Sequence, residues 1–317
     1  MSTSRTREKA DKLTYTQAEV TAGDTAAKAG RKNWIINGDF QISQRGAYSS
    51  ATSITASPVY YLDRFRVKHN NISGTIVRQT NQTVNGKVTD TMRLTATAGS
   101  NGRVEAVQMI EDEVFNGQTV TISAWVISNS ASARLIIHQN GANIQTSSNA
   151  HTGGGAYELL KATVTCASNA GQLHIYTGIQ AAGTGNVAIA NGDYFKMAFL
   201  QLELGSVATD FEHRSYGEEL ALCQRYYEII KAASAWSWTS STGARIYGQF
   251  RTEKRASPSV SGSPIIIGNG NSAYTQSSFA GPSTTAYGFD GYCYNFTSVT
   301  TARPYTVLST MNFDAEL

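Results

Sequence analysis

Asn33-Trp-Ile-Ile-Asn-Gly-Asp-Phe40 and Asn191-Gly-Asp-Tyr-Phe-Lys-Met-Ala-Phe-Leu-Gln-Leu-Glu-Leu-Gly205 are the two stretches that decide the fold. In the first, Trp34, Ile35 and Ile36 run into the turn pair Asn37-Gly38, and Phe40 and Ile42 alternate after it. Positive φ is cheap at such a pair. In the second, Phe195, Met197, Phe199 (with Leu200), Leu202 and Leu204 keep a period of two. That period places all five on one face of a pleated strand, so the sheet they join has a buried side. The separation of the two stretches suits a single β-sandwich whose first and last strands lie side by side.

Between them the chain reads as short strands. Candidates are 60–67, 74–79, 91–96, 102–110, 118–127, 133–138, 157–165 and 171–176. They are separated by Gly, Asn and Ser and show no helical period, which reads as an antiparallel sandwich. Val120, Ile122, Ala124 and Val126 alternate with Thr121, Ser123, Trp125 and Ile127. Apolar groups on both faces late in that run predict a strand inside its sheet. Ala150-His-Thr-Gly-Gly-Gly155 can only be a loop.

Composition agrees. Of 317 residues, 15% are charged and 28 are Gly, an all-strand signature rather than a helical bundle. Cys166, Cys223 and Cys293 are far apart and lack Cys-x-x-Cys spacing, so buried thiols are expected rather than a disulfide framework or zinc site. No run approaches the ~18 apolar residues of a membrane span, and the basic N-terminus lacks the apolar centre of a signal peptide. Synthesis and folding in a cytoplasm are therefore expected, without membrane insertion.

The net charge of +3 resides in residues 1–32: Arg5, Arg7, Lys9, Lys12, Lys28, Arg31 and Lys32 against Glu8, Asp11, Glu19 and Asp24. The remainder carries nineteen charges of each sign, so the body has no bias toward nucleic acid. The large apolar residues of this arm after Met1 are Leu13, Tyr15 and Val20, too few to order about thirty residues alone. In isolation it would be an unfolded arm. We read it as an extended anchoring segment that takes its shape on a partner surface.

Ser215-Tyr-Gly-Glu218 fits a capping box. Leu220, Cys223, Tyr227 and Ile230 then recur at helical spacing, with Leu222, Tyr226 and Ile229 beside them. This predicts a linker helix over 215–233, apolar over so much of its girth that it must be covered on more than one side. It either wedges between two domains or makes a three-chain contact on a symmetry axis. Two heptads fall short of a coiled coil, which favours the wedge. Beyond it, 234–317 is strand-like again: Ser234–Trp238 and Arg245–Phe250 alternate, Ile265–Ile267 follows Pro264, and Tyr292, Tyr294 and Phe296 alternate. A second, smaller β-sandwich is expected there. Its ~80 residues are close to the size at which burial barely offsets chain entropy, which favours oligomeric support.

Several spaced motifs carry a family resemblance. Ile35-Ile-Asn-Gly-Asp-Phe40, Thr119-Val-Thr-Ile-Ser-Ala-Trp-Val126 and Tyr194-Phe-Lys-Met-Ala-Phe-Leu-Gln-Leu-Glu203 resemble jelly-roll carbohydrate-binding modules. Asn33 to Gly46, Tyr61-Leu-Asp-Arg-Phe65, Gln201 to Ser215 and Glu218 to Glu228 resemble tail-fibre and related virion proteins of bacteriophages and prophages. The likeness extends more weakly to Phe250–Val260 and to Asp314-Ala-Glu-Leu317. It implies a mainly β fold with a jelly-roll sandwich over 33–214, and a homotrimeric structural protein located on a virion. It also implies docking to other virion proteins through the arm and contact with host surface glycans. The calcium ligands of such modules do not carry over: Asn37 and Asp39 occupy an early ligand position, but the last strand offers Gln201 and Glu203. No cofactor is expected, with structural calcium left open but unsupported by the residues.

Catalytic signatures are missing: no Gly-x-Ser-x-Gly, no Gly-x-x-x-x-Gly-Lys, no His-Glu-x-x-His. His69, His138, His151, His174 and His213 are scattered without ligand spacing, and each reads as a satisfied or solvated imidazole. Glu111-Asp-Glu113 reads as a solvated loop rather than a glycosidase pair. The expected protein is not an enzyme. Trp236, Trp238, Tyr274, Tyr287 and Tyr292 lie among small polar residues, the mixture that grips a sugar's C–H faces and hydroxyl rim. They are the sequence's glycan-binding candidates, with core packing as the competing role for each and loop 268–291 as the place of contact. Two functions stay open: a receptor-contacting tail fibre, or a structural decoration or adaptor without host ligand. A depolymerase ranks third.

Overall fold

A computed structural model describes residues 32–55, 58–111, 115–230, 234–237, 243–261, 265–267, 273–275, 278–294, 304–307 and 311–316. The arm residues Arg5, Arg7, Lys9, Lys12, Leu13, Tyr15, Val20, Lys28 and Arg31 lie outside them, as does Trp238.

The fold is mainly β. Two antiparallel sheets enclose the principal core. One is six-stranded, in the order Thr52–Ser53, Gly74–Val84, Lys87–Ala96, Tyr194–Leu204, Thr119–Ser128, Tyr157–Thr165. The other is seven-stranded. Its order is Val59–Leu62, Phe65–Asn70, Ser100–Ile110, Leu173–Ile179, Ala133–Gln139, Ile144–Ser147, with Val187–Ile189 added beside Ser100–Ile110. From residue 87 onward the long strands alternate between the sheets, as in a jelly roll. Val120, Ile122, Ala124 and Val126 meet Val104, Ala106, Leu135, Ile137 and Ile175 across the interior. Thr119–Ser128 is flanked on both sides, as its two apolar faces predict.

The opening stretch closes against the last strand of the sandwich. Trp34 N donates to Leu202 O at 2.9 Å, Leu200 N to Gly38 O at 2.9 Å, and Asn33 Oδ1 accepts from Leu202 N at 3.1 Å. Asn37 takes φ 61° as its turn requires. A Cβ on Gly38 would stand 2.1 Å from Leu200 O, so only glycine permits this approach. Gly38→Ala is expected to cost about 1–3 kcal/mol of stability by forcing the turn off the strand, read from urea denaturation.

The closing strand breaks its own period. Its register shifts between Ala198 and Gln201, and Phe199 sits at φ 55°. This bulge turns Phe199 away from the core, while Leu200 and Leu202 continue inward. Phe199 packs outside the sheet with Trp125, Tyr157 and Phe211, and Leu204 ends exposed. The expected five-residue face is thus Phe195, Met197, Leu200 and Leu202.

The helix is shorter than expected. It spans Tyr216–Gln224, with Ser215 capping and Glu218 reaching back as the box predicts. Tyr227 and Ile230 fall instead in the strand Tyr227–Ile230, which pairs with Met311–Asp314. Four residues rich in β-formers beside an available strand edge outweigh the helical spacing. Leu220 and Cys223 remain on the helix and pack, with Tyr226, against Ile36 and Ile42. Cys223 and Cys166 are buried free thiols, and burial raises the pKa of both.

The C-terminal region contains two sheets. Tyr227–Ile230, Met311–Asp314 and Ser259–Ser261 form a three-stranded sheet. The other is seven-stranded, ordered Ala273–Thr275, Ile265–Ile267, Pro304–Val307, Ser234–Ser237, Gly243–Gln249, Gly288–Tyr294, Ser278–Thr284. Phe250, Phe289 and Phe313 stack between them, with the Phe289 and Phe313 centroids 4.5 Å apart. The stretch 268–291 is therefore not the loop expected, since it contains Ala273–Thr275 and Ser278–Thr284.

The junction between the two regions is polar and dense. Arg64, 2% exposed, donates to Met109 O at 2.7 Å, pairs with Glu316 and lies 3.4 Å above the Tyr226 ring. Arg45 pairs with Asp314 at 2.9 Å and lies 3.7 Å over Tyr227. Glu111 pairs with Arg255 at 2.8 Å, while Asp112 and Glu113 of the same expected loop lie outside the described residues.

Candidate functional site

The outer face of the larger sandwich sheet contains residues that alternate with the core. Phe65 and Val67 point inward, so Arg66 and Lys68 point out. Val104 and Ala106 point inward, so Arg103, Glu105, Val107 and Met109 point out. By the same rule Leu173–Ile179 contributes His174 and Tyr176, and Ala133–Gln139 contributes Arg134, Ile136 and His138. Register aligns them in rows: Arg66–Val107–Tyr176–Ile136, Lys68–Glu105–Gly178–Arg134 and Met109–His174–His138.

Several residues of this outer face are buried. Val107, Met109, Ile136 and Tyr176 form an apolar floor although they point away from the core. One end is flanked by the segment after Ile179, where Arg103 donates to Thr184 O and Thr184 Oγ1 bonds Gln145 at 3.2 Å. A Cβ on Gly178 would stand 2.2 Å from Val104 O, so the strands can approach closely here only because no side chain intervenes between Glu105 and Arg134.

Several polar atoms beside this floor lack a hydrogen-bond partner among the described residues. Glu105 is 0% exposed, and neither carboxylate oxygen has a hydrogen-bond partner. Its nearest cation is Arg103, at 3.5 Å. Burial raises its pKa to about 7, only partly opposed by Arg103 and Lys68. Among the described residues, Gln180, fully buried, has neither amide atom hydrogen-bonded, and His174 Nε2, His138 Nδ1 and Arg66 Nε likewise lack a hydrogen-bond partner. The His138 and His174 rings meet edge to face at 5.7 Å, and Lys68 lies 5.4 Å over Tyr176. Burial, then His138, Lys68 and Arg66, lowers the His174 pKa to about 4. Buried polar atoms are normally paired, so a concentration of unpaired ones marks a place where something else supplies the partners.

The opposite sheet's outer face is different. A cleft of ≈ 120 Å³ there is lined by Trp125, Phe199, Phe211, Gln201, Lys87 and Asp210, among others. Its groups are mostly engaged with one another. Gln201 Oε1 accepts from Glu212 N at 2.8 Å, Glu203 accepts from Thr209 N at 3.0 Å, and Phe199, Phe211 and His213 stack together. Tyr157 OH, near this face, lacks a hydrogen-bond partner among the described residues. Lys32, assigned to the arm, is held here by the body itself, donating to Asp210 O at 2.7 Å and lying 3.6 Å from Glu203.

Of the expected glycan residues, Trp238 lies outside the described residues and the others are placed by their strands. Register sets Trp236 opposite Arg245, and Arg245 opposite Tyr292, in adjoining strands. Tyr274 lies in the edge strand on the far side of Ser234–Ser237, and Tyr287 is 67% exposed in the turn before Gly288–Tyr294. Among the described residues no three His, Cys, Asp or Glu converge as a metal site. Asn37 spends its side chain on Ile42 and on Asp63 O, while Gln201 and Glu203 hold the 209–212 segment. The sequence reading missed Arg66, Lys68, Arg103, Glu105, His138, His174 and Tyr176. Each polar or aromatic pair at i, i+2 lay within or beside a strand it had drawn, and treating the histidines one at a time concealed their shared face.

No family model matches the chain, and no curated protein matches it. Among solved structures it is similar to the carbohydrate-binding module TmCBM61 in complex with β-1,4-galactotriose, at 13% identity and TM-score 0.35, covering 55% of this chain and 99% of that one. It is similar to the CBM22-1 xylan-binding domain of Paenibacillus barcinonensis Xyn10C, at 13% identity and TM-score 0.31, covering 56% and 96%. It is also similar to the enzymatically active domain of bacteriophage CBA120 tailspike protein 4, at 11% identity and TM-score 0.36, covering 54% of this chain and 21% of that one. The structural neighbours of this chain are thus carbohydrate-binding modules and a phage tailspike domain.

Proposed function

We propose that this chain is a glycan-binding structural protein of a phage or prophage virion, and that the outer face of the seven-stranded sandwich sheet is where the glycan sits. One observation carries the binding assignment: an apolar floor beneath a group of buried, unpartnered polar atoms centred on Glu105. A saccharide matches that combination, since its C–H faces suit Tyr176, Val107 and Ile136 while its hydroxyls suit Glu105, Gln180 and the two imidazoles. The virion location, the docking arm and a trimeric assembly follow from the sequence resemblance and are part of the same proposal. Binding without catalysis fits best. Among the described residues of this face Glu105 is the one carboxylate, whereas glycoside cleavage ordinarily uses two.

A glycan array probed with the full chain tests this. Reproducible binding is expected, with a loss of about tenfold or more in Tyr176→Ala, as for an aromatic anchor in a recognition surface. The variant's melting temperature shows whether the fold is kept. Binding unaffected by Tyr176→Ala but lost in Trp236→Ala would move the site to the C-terminal region. No binding at all would favour a decoration or adaptor protein.

A further inference from the structure

This outer face is not electrically balanced, although the body of the chain is. Arg66 and Lys68 reach it from Phe65–Asn70 and Arg103 from Ser100–Ile110, and Arg134 stands in the Glu105 row beyond Gly178. Against these cations the described residues of the face set one carboxylate, Glu105. That pairing leaves the cations under-neutralised. Among the described residues, Arg66 Nε has no hydrogen-bond partner, and its Nη2 bonds Met109 Sδ at 3.9 Å. Lys68 makes no ion pair among the described residues, and burial followed by Arg66 depresses its pKa. A bound anion would relieve that repulsion.

Resting on the glycan reading above, we propose that this face selects an anionic saccharide, its acidic group seated among Arg66, Lys68 and Arg103 and a ring hydroxyl donating to Glu105. Uronate carboxylates and sulfate esters share the required chemistry. Charge-assisted hydrogen bonds to such a group are worth about 1.5–3 kcal/mol, or roughly tenfold and upward in affinity.

A pH dependence follows. The charged and titratable residues of this face around Glu105 are Arg66 and Lys68, Arg103 on its own strand, His174 and Tyr176, and Arg134 and His138. The arginines and Lys68 stay charged near neutrality, and the buried His174 stays neutral. As pH falls through about 7, Glu105 takes up a proton and the face becomes more positive. Anionic ligands therefore bind more tightly on the acid side.

Calorimetric titration of the full chain tests this with three probes of equal length: oligogalacturonate, a sulfated galacto-oligosaccharide and a neutral β-1,4-galacto-oligosaccharide. Each is measured near pH 6 and near pH 8, in low and high salt. At least one anionic probe is expected to bind about tenfold or more tightly than the neutral one near pH 6, with a margin that shrinks in high salt. Which anion wins identifies the source. Lys68→Met should abolish the margin between anionic and neutral probes, and Glu105→Gln should remove the pH difference. A neutral probe that binds as tightly as both anions, and is lost in Tyr176→Ala, overturns the anionic assignment while leaving the glycan reading standing. Failure of all three to bind overturns both.

Discussion

Arg64→Leu is expected to lower the unfolding free energy by about 3–5 kcal/mol, the usual consequence of breaking a buried ion pair from one side. The guanidinium is 2% exposed, as is its partner Glu316. It also donates to Met109 O at 2.7 Å and covers the Tyr226 ring, while the Arg64 amide bonds Glu316 Oε1 at 3.2 Å. Removing the side chain leaves the Glu316 carboxylate buried with only Arg45, 3.6 Å away, as a cation. Glu316→Leu should cost a comparable amount, because Arg64 is then the orphan. The double variant should cost much less than the sum of the two, since no charge is then stranded. Urea denaturation of the four proteins completes the cycle. Single variants that each cost under about 1 kcal/mol would mean the pair is solvated rather than buried. Because Arg64 ties the sandwich to the last strand of the C-terminal region, limited proteolysis should also cut Arg64→Leu faster near 311–316.

This junction shows what was legible in the sequence and what was not. Strand positions were legible because hydrophobic alternation is local: Tyr157–Thr165 and Ile265–Ile267 stand where the period put them. So was the approach of the opening stretch to Tyr194–Leu204, because a sandwich must bury both apolar faces. Gln44, Arg45, Asp63, Arg64, Tyr226, Tyr227, Asp314 and Glu316 were also visible, as pieces of separate motifs. Their meeting was not. Gln44 bonds Asp63 at 2.6 and 2.7 Å and Tyr227 O at 2.9 Å, and Arg45 joins Tyr227 to Asp314. Charges far apart in the chain find each other through topology, about which local periodicity is silent. The same limit explains the helix. Spacing of three and four cannot register that Tyr227–Ile230 has a strand waiting for it in Met311–Asp314. It explains the site too. Arg66, Glu105, His138 and Tyr176 come from four strands whose adjacency exists only once the sheet order is set.

Glu105→Gln should remove the pH dependence of stability that the wild-type site imposes. In the unfolded chain this carboxyl ionises at its ordinary value near 4.5, whereas in the folded chain burial holds it protonated up to about 7. A folded-state pKa above the unfolded one means the folded state keeps a proton that the unfolded state has released. Stability is therefore unaffected below the ordinary carboxylate range, falls as pH rises toward 7, and carries the full penalty above it. The difference corresponds to about 3 kcal/mol. Glutamine has nearly the same shape and no charge to desolvate, so the variant should match wild type near pH 4 and exceed it by up to about 3 kcal/mol near pH 8. Chemical denaturation across that range measures it. Equal curves at every pH would show that Glu105 is solvated, and the assignment of this face would lose its central residue. Agreement would instead show a fold keeping a costly carboxylate beneath Lys68 and beside Arg103, where a hydroxyl or an acidic ligand can compensate what the protein leaves unbonded.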